Sequence, residues 1–404
     1  MHEQTVRFVR PGQLRLDALP PLALYVHLPW CLKKCPYCDF NSHEWRSEKG
    51  LTGDAMDGGT EGRYLDALRL DLEAALPLIW GRRVMSVFIG GGTPSLFSPE
   101  AIDRLIGDIR ARLPLDPGCE ITLEANPGTF ERERFRAFAN AGVTRLSIGV
   151  QSFDDASLKA LGRVHDAAQA RAAITEAAAA FATFNIDLMY ALPGQTLDAL
   201  ARELDEALAF KPPHLSIYHL TIEPNTRFAL APPTLPDDDL ASDMLDLITE
   251  RTAAVGLARY EVSAFAQPGH ACEHNLNYWR FGDYLGIGAG AHSKLSFPAR
   301  IVRQVRWREP AAYMANAALG KAVSNEHEVA ASELPFEFML NALRLKDGFE
   351  TRIFHERTGQ SMASIDAALT TAQQRGWLTL AGGVLTPTVR GFDFLSEVQQ
   401  LFLA

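Results

Sequence analysis

The chain has 404 residues, 47% hydrophobic and 22% charged, enough to bury one large core and a smaller second one. A formal net charge of −10 and a pI near 5.6 argue against broad nucleic-acid binding, whose affinity comes from Lys and Arg neutralising phosphates. Met1–Arg7 contains no apolar signal core, and no later run reaches the ~20 apolar residues of a membrane span, so the expected compartment is the reducing cytoplasm.

After a lead segment, residues 1–22, a first strand is expected at Ala23–Leu28. It runs into Cys31-Leu-Lys-Lys-Cys35-Pro-Tyr-Cys38. Three cysteines at this spacing in one loop suit three irons of a 4Fe-4S cluster and leave the fourth iron open and reactive. Zinc is the plainer alternative, with His43 completing a Cys3His set, but structural zinc usually draws on two ligand pairs, and the remaining Cys119 and Cys272 stand isolated. A disulfide fits less well, because the cysteine count is odd and a chain this large needs no staple.

Glu44–Arg63 is Gly-rich and aperiodic, a surface loop beside the cysteines. Beyond it, strand-like runs at Val84–Ile89, Glu120–Glu124, Arg145–Val150, Asn185–Met189 and His214–Leu220 alternate with amphipathic helices at Tyr64–Leu76, Ile102–Leu113, Gln169–Ala182 and Leu197–Ala209. Six βα units are too few for a closed eight-stranded barrel. The expected fold is α/β, a partial (β/α)6 TIM-like barrel over residues 23–265 with a further strand near Arg259–Phe265; an open doubly wound sheet satisfies the same periodicity. A connecting region, 266–325, follows. The end of the chain, 326–404, combines helices at Glu333–Leu345, Thr351–Thr358 and Met362–Arg375 with a hairpin turning at Gly382-Gly383, a small winged-helix-like domain. From Glu333 to Ala404 acidic residues slightly outnumber basic ones, which favours a cover or docking surface over a DNA reader.

The unusual residues fall just after the strands: the cysteine loop, Gly90-Gly91-Gly92-Thr93-Pro94, Glu124-Ala125-Asn126-Pro127, Gln151-Ser152-Phe153, Asp187 near its strand's end, and His219 to Glu223. Parallel α/β folds bind ligands at the carboxyl ends of their strands, so this collinearity carries more weight than any one motif. Glycines after a strand admit close backbone approach by a ligand's amino or carboxylate group. Glu124 can accept from an amine or ribose, or simply cap the strand end.

Tyr25, the CxxxCxxC loop, GGGTP and ExNP together resemble radical S-adenosylmethionine (SAM) proteins, in particular the group holding oxygen-independent coproporphyrinogen III oxidase and the heme chaperones. The resemblance implies a 4Fe-4S cluster on Cys31, Cys35 and Cys38, and SAM against Tyr25, Gly91, Gly92, Thr93 and Glu124, with its amino and carboxylate groups chelating the open iron. Gln151, Arg163 and Asp187 fall where the oxidase contacts a second SAM. The oxidase also carries a further cysteine two residues beyond the triad, a position occupied here by Phe40.

His274-Asn275-Leu276-Asn277-Tyr278-Trp279, an HNxxYW segment, resembles the chaperone branch, which implies heme, with His274 as iron ligand and Tyr278 and Trp279 against the porphyrin. His27, His219, His292 and Cys272 are the other ligand candidates. The implied partners are heme, a heme-acceptor protein such as a membrane respiratory protein, and an electron donor such as a flavodoxin or ferredoxin; nucleic acid is not expected. A heme chaperone is the favoured function, a radical enzyme decarboxylating a porphyrinogen the alternative, and whether the chain is an enzyme stays open.

Overall fold

Residues 14–45, 58–79, 81–128 and 134–403 are described by a computed structural model. Apolar runs buried on both faces, as a parallel sheet requires, form β1 (Leu22–Leu28), β2 (Val84–Gly91), β3 (Leu115–Ala125), β4 (Arg145–Gln151), β5 (Thr183–Tyr190) and β6 (His214–His219). They lie side by side in chain order, each parallel to the next, the expected partial-barrel arrangement. Between them run α1 (Gly58–Ile79), α2 (Pro99–Arg112), α3 (Phe135–Ala141), α4 (Ala167–Ala180) and α5 (Leu197–Ala209). Their starts are written in the sequence. Ser98 caps α2 with Pro99 behind it, Asp166 and Gln169 form a capping box on α4, and Thr196 caps α5. Of the Gly-rich stretch Glu44–Arg63, residues 46–57 lie outside the described residues, as do 1–13 of the lead segment, while 58–63 belong to α1.

Beyond β6 and the long α6 (Asp238–Ala254), the strand expected near Arg259–Phe265 is two short antiparallel strands, β7 (Ala258–Arg259) and β8 (Ala264–Ala266). The other edge is wider than the sequence suggested. After α7 (Glu273–Trp279), β9 (Asp283–Ile287) pairs parallel with β1, and β10 (His292–Phe297), β11 (Arg300–Arg306) and β12 (Val323–Glu328) continue as an antiparallel meander, completing a 12-stranded sheet. Residues 266–325 therefore supply a wall of the sheet.

That wall buries charge, which it can do because Lys294 and Arg306 each meet a carboxylate. Lys294 Nζ lies 3.0 Å from Asp283 Oδ1, and Arg306 Nε lies 3.4 Å from Asp71 on α1. The Tyr313 hydroxyl of α8 (Pro310–Ala317) donates to the same Asp71 at 3.1 Å.

The C-terminal part packs α9 (Leu334–Ala342), α10 (Thr351–Thr358) and α11 (Asp366–Gln374) against a three-stranded sheet of β13 (Phe349–Glu350), β14 (Leu378–Ala381) and β15 (Val384–Pro387). Gly382 and Gly383, at φ 58° and 80°, supply the two left-handed residues that a tight hairpin between β14 and β15 demands. Its core continues into the sheet through Phe281 and Ile301, with Phe338 edge-on to Phe281, Phe349 and Phe354. Among the described residues, no helix is long and apolar enough to cross a membrane.

Candidate functional site

β1 delivers the chain to the barrel mouth, where Pro29 ends it. Trp30–Cys31 then pair in parallel with His43–Glu44, closing the cysteine loop at its base. The loop is pinned further by Trp45 N–H to Cys31 O at 2.7 Å, Thr93 N–H to Trp30 O at 2.7 Å and Phe228 N–H to Pro36 O at 3.0 Å. Trp30 anchors it from below, edge-on to Tyr64 at 4.8 Å. Cys31, Cys35 and Cys38 thus line one cavity of about 460 Å³ together with Gly91, Gly92, Thr93, Glu124, Gln151, Arg163 and Asp187. Tyr25 lines an adjoining cavity of about 480 Å³, which shares Gly91 and Glu124.

The thiols suit a cluster better than a single ion. All three thiols face the same space, and among the described residues that line it with them there is no histidine except His214 and His219 on β6. Burial pushes the Cys31 thiol up to about 11, a hydrogen bond with Thr93 works against this, and Cys38 and Cys35 add to it. A cation stands ready beside them: Arg163 Nη1 lies 3.6 Å from Cys35 Sγ, and its Nε is buried with no hydrogen-bond partner among the described residues. Arg163 Nη2 donates to Asn126 Oδ1 at 2.6 Å and Gly149 O at 2.7 Å, and Asn126 Nδ2 donates to Thr93 Oγ1 at 2.9 Å. Asn126 therefore ties three motifs together, a role the sequence reading passed over although the ExNP segment placed it at the strand end.

The two glycines are demanded by packing as well as by any ligand. Gly91 sits at φ 121°, and a Cβ there would lie 2.6 Å from the His27 ring, while one on Gly92 would lie 2.5 Å from Trp30 O. Gly91 N–H donates to Glu124 Oε2 at 3.0 Å. Burial, then the Asp187 charge, raises the Glu124 carboxyl to about 7 against the pull of that hydrogen bond. Burial raises Asp187 to about 6, opposed by hydrogen bonds from Asn185 and Ser147. Gln151 adopts φ 69° at a break in β4–β5 register, the kind of irregularity that re-aims a side chain at a site.

His274 lies on α7 in a buried, hydrogen-bonded setting. It is 1% exposed, its Nδ1 pairs with Ser86 Oγ and its Nε2 with the Tyr278 hydroxyl, both at 3.1 Å, and Phe88 stacks on it at 5.0 Å. Burial alone lowers it to about 3. With both nitrogens engaged, the imidazole acts as backing for Phe88 and Tyr25. Trp279 turns toward the C-terminal part, under the Arg344 guanidinium at 4.2 Å, while Asn275 lines the cluster cavity and Tyr278 the adjoining one. Cys272 is buried near Glu120, and His219 lines the cluster cavity from β6.

A thiol triad at the carboxyl end of a partial parallel barrel, facing a glycine-lined cavity, defines a radical SAM protein. Consistent with this, the model of the Radical SAM superfamily matches residues 25–207 and that of the HemN C-terminal domain residues 329–394. The chain is 45% identical to heme chaperone HemW of Escherichia coli (strain K12) and 43% identical to that of Haemophilus influenzae, in both cases over 96% of this chain and 99% of the relative. The chain belongs to the heme chaperone HemW family. Among solved structures it is similar to the Escherichia coli radical SAM enzyme coproporphyrinogen III oxidase (HemN), at TM-score 0.78 and 21% identity over 99% of this chain and 98% of that one, a likeness of fold. Membership of the superfamily implies a 4Fe-4S cluster and SAM.

Proposed function

We propose that the protein is a heme chaperone that binds heme and passes it to an acceptor protein while carrying a 4Fe-4S cluster and SAM. Full-length similarity to HemW carries this reading. Cys31, Cys35 and Cys38 would hold the cluster, and Tyr25, Gly91, Gly92, Thr93 and Glu124 the SAM. When bound, these groups supply one-electron chemistry at an open iron. The chain's own residues do the rest: Arg163 offers positive charge to the thiolates, Glu124 an acceptor to an amine, and the pinned loop a fixed set of sulfurs. Gln151, Arg163 and Asp187 line the same cavity. A reducing cytoplasm, an electron donor of the flavodoxin or ferredoxin kind and a respiratory acceptor belong to this proposal.

Phe40, where the oxidase carries a further cysteine, is 65% exposed and borders both cavities. A large ring held in water beside a pocket suits an apolar cargo. The test is anaerobic reconstitution followed by parallel assays. Saturable heme uptake with negligible coproporphyrinogen decarboxylation is expected; robust decarboxylation without heme uptake would overturn the reading.

A further inference from the structure

The buried face of α5 is Leu200, Glu203, Leu204 and Ala207, an i, i+3, i+4, i+7 stripe in which one position is a carboxylate. A carboxylate taken out of water costs stability unless donors meet it, and here three do. The Ser152 hydroxyl donates to its Oε1, as does the Phe153 N–H at 2.9 Å, and Gln195 Nε2 donates to its Oε2 at 3.0 Å. Ser152 Oγ in turn accepts from the Asp154 N–H at 3.0 Å, so its own proton is left for the carboxylate.

Glu203 thereby fastens two turns, one at the carboxyl end of β4 and one at that of β5. Each turn holds a non-glycine residue in the left-handed region, Gln151 at φ 69° and Ala191 at φ 56°, a conformation that persists only where its surroundings impose it. Ser152, directly after Gln151, is fully buried, and Gln195 closes the second turn by accepting from the Leu192 N–H at 3.2 Å. With its backbone held this way, Gln151 sends its amide over Gly149: a Cβ on Gly149 would lie 3.1 Å from Gln151 Nε2 and 3.3 Å from Arg163 Nη2. The amide stands beside the guanidinium that meets Cys35, lines the cluster cavity, and makes no hydrogen bond among the described residues.

We propose that Glu203 is a positioning residue for the cofactor site: it lines neither cavity, yet it fixes the Gln151 turn so that the Gln151 amide meets bound SAM, a role that rests on the reading of the cluster cavity as the SAM site. An apolar residue at 203 would satisfy the helix stripe. It would also leave Ser152, Phe153 and Gln195 without their shared acceptor and Gln151 free to relax from φ 69°.

The experiment uses full-length protein with its cluster reconstituted anaerobically. SAM is titrated calorimetrically into the parent, Gln151→Ala, Glu203→Ala, the double variant of both, Glu203→Gln, and Glu203→Gln combined with Gln195→Glu. Gln151→Ala should weaken SAM by about 3- to 10-fold, the scale of one hydrogen bond. Glu203→Ala should weaken it as much, and the double variant no further, because the second change acts through a contact already lost. Glu203→Gln alone leaves one donor facing another however the amides at 195 and 203 turn, and should also bind weakly. Adding Gln195→Glu restores an acceptor to Ser152, Phe153 and Leu192 and a matched pair between 195 and 203, so Kd should return to the parent value. That recovery carries the test even where Glu203→Ala loses its cluster. Parent affinity in Gln151→Ala, a full further loss when Glu203→Ala is added to it, or no recovery in the exchanged pair would each overturn the positioning role. A parent that holds its cluster yet binds no SAM would overturn the cofactor reading instead.

Discussion

Glu124→Gln should move stability and cofactor affinity in opposite directions. The Glu124 carboxyl is raised from 4.5 to about 7, chiefly by burial and then by the Asp187 charge. For an acid raised on folding, the native state holds more protons than the unfolded chain between those two values. Stability is therefore fully present below 4.5 and is lost as pH rises through about 7. Each tenfold change in proton affinity is worth about 1.4 kcal/mol, so ionising the carboxyl at pH 8 costs the apoprotein at most about 3 kcal/mol. Gln keeps the shape without the charge, and at pH 8 the variant apoprotein should be more stable than the parent by about 1–3 kcal/mol, the two converging near pH 4.

The same substitution should harm SAM binding. If the carboxylate accepts from the ligand's amine, losing that charge costs about 1.5–3 kcal/mol, roughly 10- to 150-fold in Kd. Parent affinity should also fall as pH drops below about 7, because binding must then displace a proton from the Glu124–Asp187 pair, whereas the variant should be flatter across this window. Denaturant titration of the apoprotein at pH 4, 6 and 8 and calorimetric SAM titration of the reconstituted protein at pH 6 to 8 read the two effects. A variant that matches the parent in Kd and in pH profile would refute the role assigned to Glu124.

Anaerobically reconstituted protein should hold close to four irons per chain; changing Cys31, Cys35 or Cys38 to Ser should abolish the cluster's absorbance and EPR signal, while Cys119→Ser and Cys272→Ser leave iron content near the parent value. Gly91→Ala places a methyl 2.6 Å from the His27 ring at φ 121°, so it should cost at least about 1–3 kcal/mol and blunt the EPR response to SAM. His274→Ala strips partners from the fully buried Ser86 and leaves a cavity behind Phe88, an expected loss of about 2–4 kcal/mol by denaturant melt with retention of the cluster. Phe338→Ala, at the meeting of three aromatic edges in the C-terminal core, should lose about 3–5 kcal/mol and expose that part to limited proteolysis.

The barrel strands were legible where burial on both faces shows as a short, mainly apolar run, most plainly in Leu22–Leu28, whose burial is nearly continuous. Site residues were legible for a related reason, since Cys31–Cys38, Gly90–Gly92 and Glu124 each follow such a run. The β9–β11 wall was not. Gly286, Gly288 and Gly290 interrupt its first strand and turn, and Lys294, Arg303 and Arg306 give the rest the look of surface. The partners that cover those charges lie elsewhere in the chain: Asp71 235 residues before Arg306, Glu337 34 after Arg303 and Asp283 11 before Lys294. His274 likewise stands out in sequence, while its partner Ser86 lies 188 residues upstream on β2.

The hydrogen-bond directions explain how one cavity wall can select a ligand. Burial lowers His27 to about 4, so its ring is neutral at physiological pH. Its Nε2 meets a carbonyl, Asn41 O, and must carry the proton; Nδ1 is then the acceptor, and the Tyr25 hydroxyl donates to it. Tyr25 therefore turns only lone pairs toward a ligand. Glu124 is an acceptor as well once ionised, and the Gly91 N–H beside it is already used. The wall formed by β1, β2 and β3 is thus rich in acceptors, which favours an ammonium group. Across the cavity Arg163 brings donors and a positive charge to the thiol side, with its Nε still unpaired. A zwitterion whose amine faces Tyr25 and Glu124 and whose carboxylate lies toward Arg163 would satisfy both walls at once, whereas a simple cation or anion would leave one of them unmatched.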